Sequence, residues 1–303
     1  MVNFYENVDR NKWMSVVIMV LFVTFVVTCT YIFAYGMGYG FDIVAFALIF
    51  SGLGSFIGYY FSDSVILGMS GAREANRKKD FQFYTVTENL TMAARMPMPK
   101  LYVIDDTAMN AFATGRDPKH AVVCATTGLL AQLNRTELEG VIAHELSHIR
   151  NYDTRLMSIV TILVGIVALL ADWFIRMASW GGGKKRSDSE GNGQLQIIFF
   201  IVGLVLALIS PLIAQLIQLA VSRRREFLAD ASSVALTKYP NGLISALKKL
   251  SKDTEPLEAA NKATAHLYIV NPLRIQSKDA RAWFANMFNT HPPVEARIKA
   301  LEG

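Results

Sequence analysis

Ala143-His144-Glu145-Leu146-Ser147-His148 is the stretch from which the fold and the chemistry follow. It has the pattern H-E-x-x-H. Residues four apart on a helix share a face, so the imidazoles of His144 and His148 reach one ion. Glu145 follows the first histidine and projects beside that ion. There it can take a proton from a metal-bound water, whose pKa zinc lowers from 15.7 to roughly 7. A chain with five histidines meets this pattern by chance in roughly one case in a few hundred.

The flanking residues predict the helix that the motif needs, over about Asn134 to Asn151. Leu138, Val141, Ile142 and Ile149 supply an apolar face. Thr136-Glu-Leu-Glu139 reads as a capping box, with Thr136 as the N-cap and Glu139 reaching back to it. Asn134-Arg-Thr136 also matches a glycosylation sequon, but the capping role suits a cytoplasmic helix better.

A catalytic zinc needs a third protein ligand and one open position. Glu226, in Arg225-Glu-Phe-Leu-Ala-Asp230, is the candidate, with Asp230 four residues on, on the same helix face, to orient a neighbouring group. Glu-x-x-x-Asp alone is a weak signal. Its position carries more: the histidine motif comes directly before one apolar run, and Glu226 comes directly after the next.

There are four such runs, at about Trp13–Tyr35, Phe41–Ser62, Met157–Trp180 and Leu195–Val221. Each has close to the ~20 residues that cross a bilayer core. The first is too long for a cleaved signal peptide and has no small-x-small site after it. The runs form two hairpins, linked by Gly36–Asp42 and by the Gly-rich Gly181–Gly193. Gly54-x-x-x-Gly58 in the second run has the spacing of a close helix contact. The polar remainder holds strand-like segments at Leu101–Asp105 and Ala121–Ala125. Helical patterns occupy Glu226–Thr237 and Leu243–Leu250. The chain therefore divides into an N-terminal membrane hairpin (1–62), a first catalytic part (63–156), an inserted membrane hairpin (157–221) and a second catalytic part (222–303).

Arg10, Lys12, Arg73, Arg77, Lys78 and Lys79 flank the first hairpin, whose own loop has no Lys or Arg. The positive-inside rule then places both polar parts in the cytoplasm. Lys184, Lys185 and Arg186 fall on the far side in that arrangement and are opposed by Arg223, Arg224 and Arg225. Apolar residues make up 52% of the chain and charged residues 18%, and the mean hydropathy is +0.30. That oiliness resides in the runs. The net charge of +5 comes in short clusters beside them, without the aromatic interleaving or motifs of a nucleic-acid binder. Cys29 lies in an apolar run and Cys124 in a strand, so a disulfide between them is implausible. Two unpaired cysteines fit a reducing compartment.

H-E-L-S-H, an apolar hairpin, R-R-R-E-F-L-A-D, and then Thr290-His-Pro-Pro293 with Arg297 together resemble the HtpX family of bacterial membrane zinc metalloproteases. That family is related to the CAAX-prenyl endopeptidases. Asn110-Ala-Phe-Ala-Thr-Gly115 resembles a further segment of it, and the likeness runs end to end. The resemblance implies an α+β zincin-like domain combined with four transmembrane helices. It implies one Zn2+ per subunit on His144, His148 and Glu226, with Glu145 as general base and later proton donor. His291 would stabilise the oxyanion, and Arg297 would pair with Asp230. Asn110 would lie toward the substrate. The implied substrates are unfolded or misfolded membrane proteins, cut on the cytoplasmic side of a bacterial inner membrane in quality control and stress response. Residues Ala121, Val122 and Val123 suit pairing with an extended substrate backbone, and equally an ordinary sheet strand.

Thr290-His-Pro-Pro293 also reads as a turn before a C-terminal helix. His120 and His266 lack partner spacing and are not ligand candidates. Two other function classes stay open. In an intramembrane metalloprotease the same motif lies within a span, whereas here polar residues flank it. A non-enzymatic membrane holdase would carry the motif as a relic. A transporter is disfavoured by the few charges within the runs.

Overall fold

In the computed structural model, residues 4–36, 42–180, 223–253, 255–258, 264, 267–270 and 292–302 are described. The fourth apolar run, the Gly181–Gly193 link, His266 and His291 lie outside them. The described part is helix-rich α+β with one small sheet.

The long helix α1 (Phe4–Gly36) and α2 (Asp42–Tyr60) form the N-terminal hairpin. The apolar content continues past α2 into α3 (Ser62–Met69), but the chain bends by 80° between them. The second run is thus α2, one helix as expected, and the break falls at Phe61, at the end of the run. Among the described residues, Val8–Thr28 is the one helix long and apolar enough to cross a membrane. The bent pair Ala45–Tyr60 and Ser62–Met69 makes a second if taken as one span. The third run belongs to α7 (Asp153–Trp180), which begins four residues before the apolar stretch.

These helices pack as a bundle. Ile18 and Phe22 of α1 are buried against Leu156, Ile159, Val160 and Leu163 of α7. The Gly54 and Gly58 face of α2 lies on α7: a Cβ at Gly54 would stand 3.3 Å from Ile166 Cδ1, and one at Gly58 3.5 Å from Ile162 Cγ2. Val20, Leu21, Phe46, Ile49, Phe50, Leu53 and Phe56 remain exposed on the outside. One end of the bundle is ringed by cations over aromatic faces: Lys12 over Tyr152, Arg155 over Tyr152 and Tyr59, and Arg116 over Tyr60.

The sheet comprises β1 (Arg73–Glu74), β2 (Lys100–Ile104), β3 (Ala111–Gly115) and β4 (Ala121–Thr126), in the order β1-β2-β4-β3. β2 runs parallel to β4, and β1 and β3 are antiparallel edge strands. Side chains alternate between two cores, as the pleat requires. Leu101, Val103, Ala111, Ala113, Val123 and Ala125 face α4 (Phe81–Ala94) and the motif helix, α6 (Arg135–Arg150). Ile104, Phe112, Val122 and Cys124 face α3, the start of α7 and Tyr268. β4 is paired on both sides and wholly buried, so residues 121–123 are the ordinary sheet strand. Substrate addition there is closed, because β2 and β3 already take its backbone hydrogen bonds.

After the short α5 (Thr127–Gln132), α6 covers nearly the expected stretch, but its cap lies two residues before the expected one. Asn134 is the N-cap: its side chain accepts from Glu137 N at 3.0 Å, and Glu137 Oε2 accepts from Asn134 N at 2.8 Å. Thr136 is the second residue of the helix, and Glu139 pairs with Arg135 instead. The chain carries two overlapping boxes two residues apart. The earlier one wins because Glu137 is also held by Ser245 and Lys249, at 2.6 and 2.8 Å, from α9 (Pro240–Lys252).

Helix α6 is buried by α4, by α8 (Arg223–Thr237) and by α9. The α6–α9 crossing needs glycine, since a Cβ on Gly140 would lie 2.7 Å from Leu243 N and one on Gly242 2.5 Å from Thr136 O. α8 is tied to the same turn of α6 by Ser233 Oγ, which donates to Gly140 O at 2.8 Å. The C-terminal α10 (Val294–Glu302) closes the set and carries Arg297 inward.

Candidate metal centre

His144 and His148 lie one turn apart on α6 with their rings edge to face, 4.7 Å between centroids. Their Nε2 atoms are 3.1 Å apart. Glu226, in the first turn of α8, offers Oε1 at 3.5 Å from His148 Nε2 and Oε2 at 3.7 Å from His144 Nε2. All three ligand atoms lie within 4.8 Å of one another. Bonds of 2.0–2.1 Å to a tetrahedral ion give ligand–ligand edges of about 3.3 Å. Two neutral nitrogens and one carboxylate at these spacings therefore fit a metal ion.

The far side of each ring is held by a carboxylate. His144 Nδ1 is 2.9 Å from Asp230 Oδ1, and His148 Nδ1 is 3.0 Å from Asp153 Oδ2. Such partners keep the proton on Nδ1 and leave Nε2 facing the ion. Asp230 is gripped in turn by Arg297, through Nε at 2.8 Å and Nη2 at 2.6 Å. Arg297 Nη1 also donates to Ile269 O at 3.1 Å and stands 3.7 Å from Glu226 Oε2.

The charges shape the proton affinities. Burial and the nearby Arg297 charge lower the His144 pKa, against the pull of Asp230. Burial also acts to lower His148, but Asp153, Glu226 and Glu145 outweigh it and raise the value to about 9. A negative cage that retains a proton also attracts a dication, so the two compete for the same nitrogen. Glu145 points beside the trio from α6. Burial pushes its carboxyl up to about 7, with Glu226 adding to the shift while His148, Arg297 and a backbone bond from Ala113 oppose it. Burial acts to raise Asp230, yet its bonds to Arg297 and His144 bring it below the usual carboxylate range.

The remaining candidates divide. Asn110 is buried at the mouth of β3, where its amide donates to Val270 O at 2.9 Å and its oxygen accepts from Ala111 N at 3.1 Å. It thus fastens residues 267–270, and Ile269 N donates to Ala111 O across the outer edge of β3. His120 is exposed and bonded to Asp117. His291 lies outside the described residues. Three residues near the site gave no expectation: Asp153, Asn11 and Arg225. Asp153 had a usable signal, a carboxylate five residues after the second histidine. Asn11 and Arg225 had none, being single polar residues inside basic clusters at the ends of apolar runs.

Comparison with known proteins agrees with this geometry. Residues 77–303 match the sequence profile described as "Peptidase family M48". A Protease HtpX homolog from Dictyoglomus thermophilum is 44% identical over 98% of this chain and 94% of its own length. Homologs from Caldanaerobacter subterraneus and Streptococcus uberis, with the same name, are 42% and 41% identical. Both matches cover 98% of this chain, and 97% and 98% of those proteins. Among solved structures, Ste24p of S. mikatae shares the fold with a TM-score of 0.50 at 17% identity, over 96% of this chain and 66% of that one. With the histidine–carboxylate trio and an end-to-end likeness to these relatives, the chain belongs to peptidase family M48 and is a membrane-associated metalloendopeptidase.

Proposed function

We propose that the metal is zinc, one per chain, on His144, His148 and Glu226, and that the enzyme cuts unfolded or misfolded membrane proteins on the cytoplasmic side of a bacterial inner membrane. The observation that carries the proposal is the convergence of two Nε2 atoms and a carboxylate within 4.8 Å, with the buried Glu145 beside them. Zinc bound there supplies Lewis acidity, polarising the scissile carbonyl and acidifying a water. The chain's residues do the rest. Glu145, with a pKa of about 7, takes a proton from the attacking water and returns it to the leaving amine. Asp230 and Arg297 fix His144, Asp153 fixes His148, and His291 is assigned the oxyanion. A substrate strand running beside the outer edge of β3 would pass close to Glu145, since the Ala113 backbone lies near enough to act on that carboxyl.

The membrane placement is supported by the exposed apolar surface of α1 and α2 and by the cation–aromatic ring at one end of the bundle. That ring adjoins the α6–α7 corner, so the metal centre lies near the bilayer surface. We assign residues 63–156 and 222–303 to one catalytic body, with hairpins 1–62 and 157–221 crossing the membrane. An intramembrane site is disfavoured, because among the described residues α6 is enclosed mainly by the sheet, α4, α8 and α9.

The test is zinc content together with cleavage of an unfolded membrane protein in detergent, for wild type and Glu145→Gln. Both should hold about one zinc per chain, and wild type alone should cut. A wild type that takes up no zinc when supplied with it removes the ligand assignment. Cysteines placed at Gly38 and Ser187 test the orientation. Both should react with an impermeant reagent from outside the cell, and protection of either refutes that span.

A further inference from the structure

We propose that Asn11, on the N-terminal helix α1, is a positioning residue of the metal centre: it clamps Asp153 in the orientation that holds His148. The membrane hairpin is then a structural part of the site as well as an anchor. The inference rests on His148 being a zinc ligand.

The contacts of Asn11 are all buried and all point to one corner of the fold. Its Nδ2 donates to Asp153 Oδ1 at 2.6 Å and to Asn151 O at 2.9 Å. Its Oδ1 accepts from Arg225 Nη1 at 2.8 Å. A carboxamide has two donor hydrogens and one acceptor oxygen, and each meets a group of opposite character here. The reversed orientation would set the amide NH2 against a guanidinium and the carbonyl against a carboxylate, so the network fixes how the amide lies. The three partners sit at the end of α6, the start of α7 and the start of α8. Those are the termini that carry His148, Asp153 and Glu226.

Asp153 shows why the clamp matters. Its Oδ2 faces His148 Nδ1 at 3.0 Å, and its Oδ1 faces Asn11, with Arg225 Nη1 at 3.6 Å. Turning the carboxylate to satisfy another partner would release the ring. Each histidine thus has its own carboxylate, and each carboxylate its own clamp: Arg297 for Asp230, and Asn11 with Arg225 for Asp153. A neutral amide suits the second position because Arg225 already balances the Asp153 charge. A further carboxylate would add uncompensated buried charge, and a further cation would face Arg225. The neighbouring residue seats the same turn of α1 separately: the Lys12 ammonium lies 4.6 Å over the Tyr152 ring, at the αL residue that turns α6 into α7.

Groups hydrogen-bonded directly to a metal-bound histidine, as Asp153 is to His148, typically set affinity by 10–100-fold, and Asn11 acts through that carboxylate. The full-length protein in detergent is titrated with Zn2+ alone against a chelator of known affinity, and thermal unfolding is followed without added metal. His148→Ala should abolish tight binding. Asn11→Ala and the similarly sized Asn11→Leu should each weaken zinc binding about tenfold, the lower end of that range, while Lys12→Ala leaves it within twofold. The loss caused by Asn11→Ala should largely vanish when Asp153 is already Ala, a non-additivity that loosened helix docking would not produce. If His148→Ala binds zinc like wild type, the ligand assignment fails and the inference falls with it. If His148→Ala loses zinc but both Asn11 variants bind within twofold of wild type, or the two losses simply add, the inference alone is overturned.

Discussion

The Arg297 guanidinium meets the Asp230 carboxylate side-on, with Nε to Oδ2 at 2.8 Å and Nη2 to Oδ1 at 2.6 Å, and both groups are buried. Two parallel bonds fix a plane as well as a distance. That plane sets the direction from which Asp230 meets His144.

Arg297→Lys should therefore not behave as a conservative change. A lysine supplies a point charge without the fork, so zinc affinity and peptidase activity should fall about 10–100-fold in a folded protein. Arg297→Met leaves the buried Asp230 carboxylate without its guanidinium countercharge, which should cost about 3–5 kcal/mol of stability. Chelator competition reads the first effect and thermal unfolding in detergent the second. Equal zinc binding in wild type and Arg297→Lys would show that the fork is dispensable.

Metal removal should separate binding from chemistry. With free zinc at 1,000 times its dissociation constant, the folded state gains about 4 kcal/mol relative to the chelated protein. Glu145→Gln should keep that gain and lose cleavage, whereas Glu226→Gln should lose both. A thermal midpoint in Glu145→Gln that ignores chelator would mean that this glutamate helps to hold the ion.

Glu137 links the cap of α6 to α9 and should be sensitive to acid. Burial opposes its ionisation, but Lys249, Ser245 and the Asn134 backbone bring its pKa below the ordinary value. A carboxylate lowered on folding contributes stability above its unfolded pKa of about 4.3. That contribution is lost as pH falls through the lower folded value. Glu137→Ala should cost about 1–3 kcal/mol at neutral pH, and the difference from wild type should shrink below about pH 4. Parallel stability curves from pH 7 to pH 3 would disprove the ionic part of this account.

Gly140→Val should be strongly destabilising, because the first added carbon already meets Leu243 N at 2.7 Å. Overpacking of this kind costs about 1–3 kcal/mol. It should also disturb the metal centre, since Gly140 O anchors Ser233 of α8, the helix that carries Glu226. Zinc affinity and thermal stability are expected to fall together. A loss of stability without a loss of affinity would show that α8 is held by other contacts.

The parts of this protein that were legible in the sequence are those with short-range periodicity. His144 and His148 declare themselves by one turn of helix, and β2, β4, α8 and α9 by apolar spacing. Glu226 could be singled out because it follows an apolar run much as the histidines precede one. The capping box was displaced by two residues, since Asn134–Glu137 and Thr136–Glu139 fit the same pattern and only the α9 partners of Glu137 decide between them. β3 was not foreseen as a strand: Ala111-Phe-Ala-Thr-Gly115 has one β-branched residue, Thr114, among small ones, and those small residues are needed where α6 and α7 press close. The bend between α2 and α3 has no proline to mark it. Asn11 and Arg225 were invisible for another reason. Their meaning lies in contacts across 142 and 214 positions of chain, and a lone asparagine beside two basic residues carries no pattern.

The groups gathered at the metal centre range from Asn11 to Arg297, with both histidines in between. During synthesis on the ribosome, a chain that has emerged only through α7 holds the H-E-x-x-H helix but neither the Glu226 carboxylate nor the Arg297 clamp. Such a nascent chain has the reactive motif without the means to complete it. The order of residues along the polypeptide thus means that the proposed metal centre can be assembled only after both halves of the catalytic body have been made and brought together.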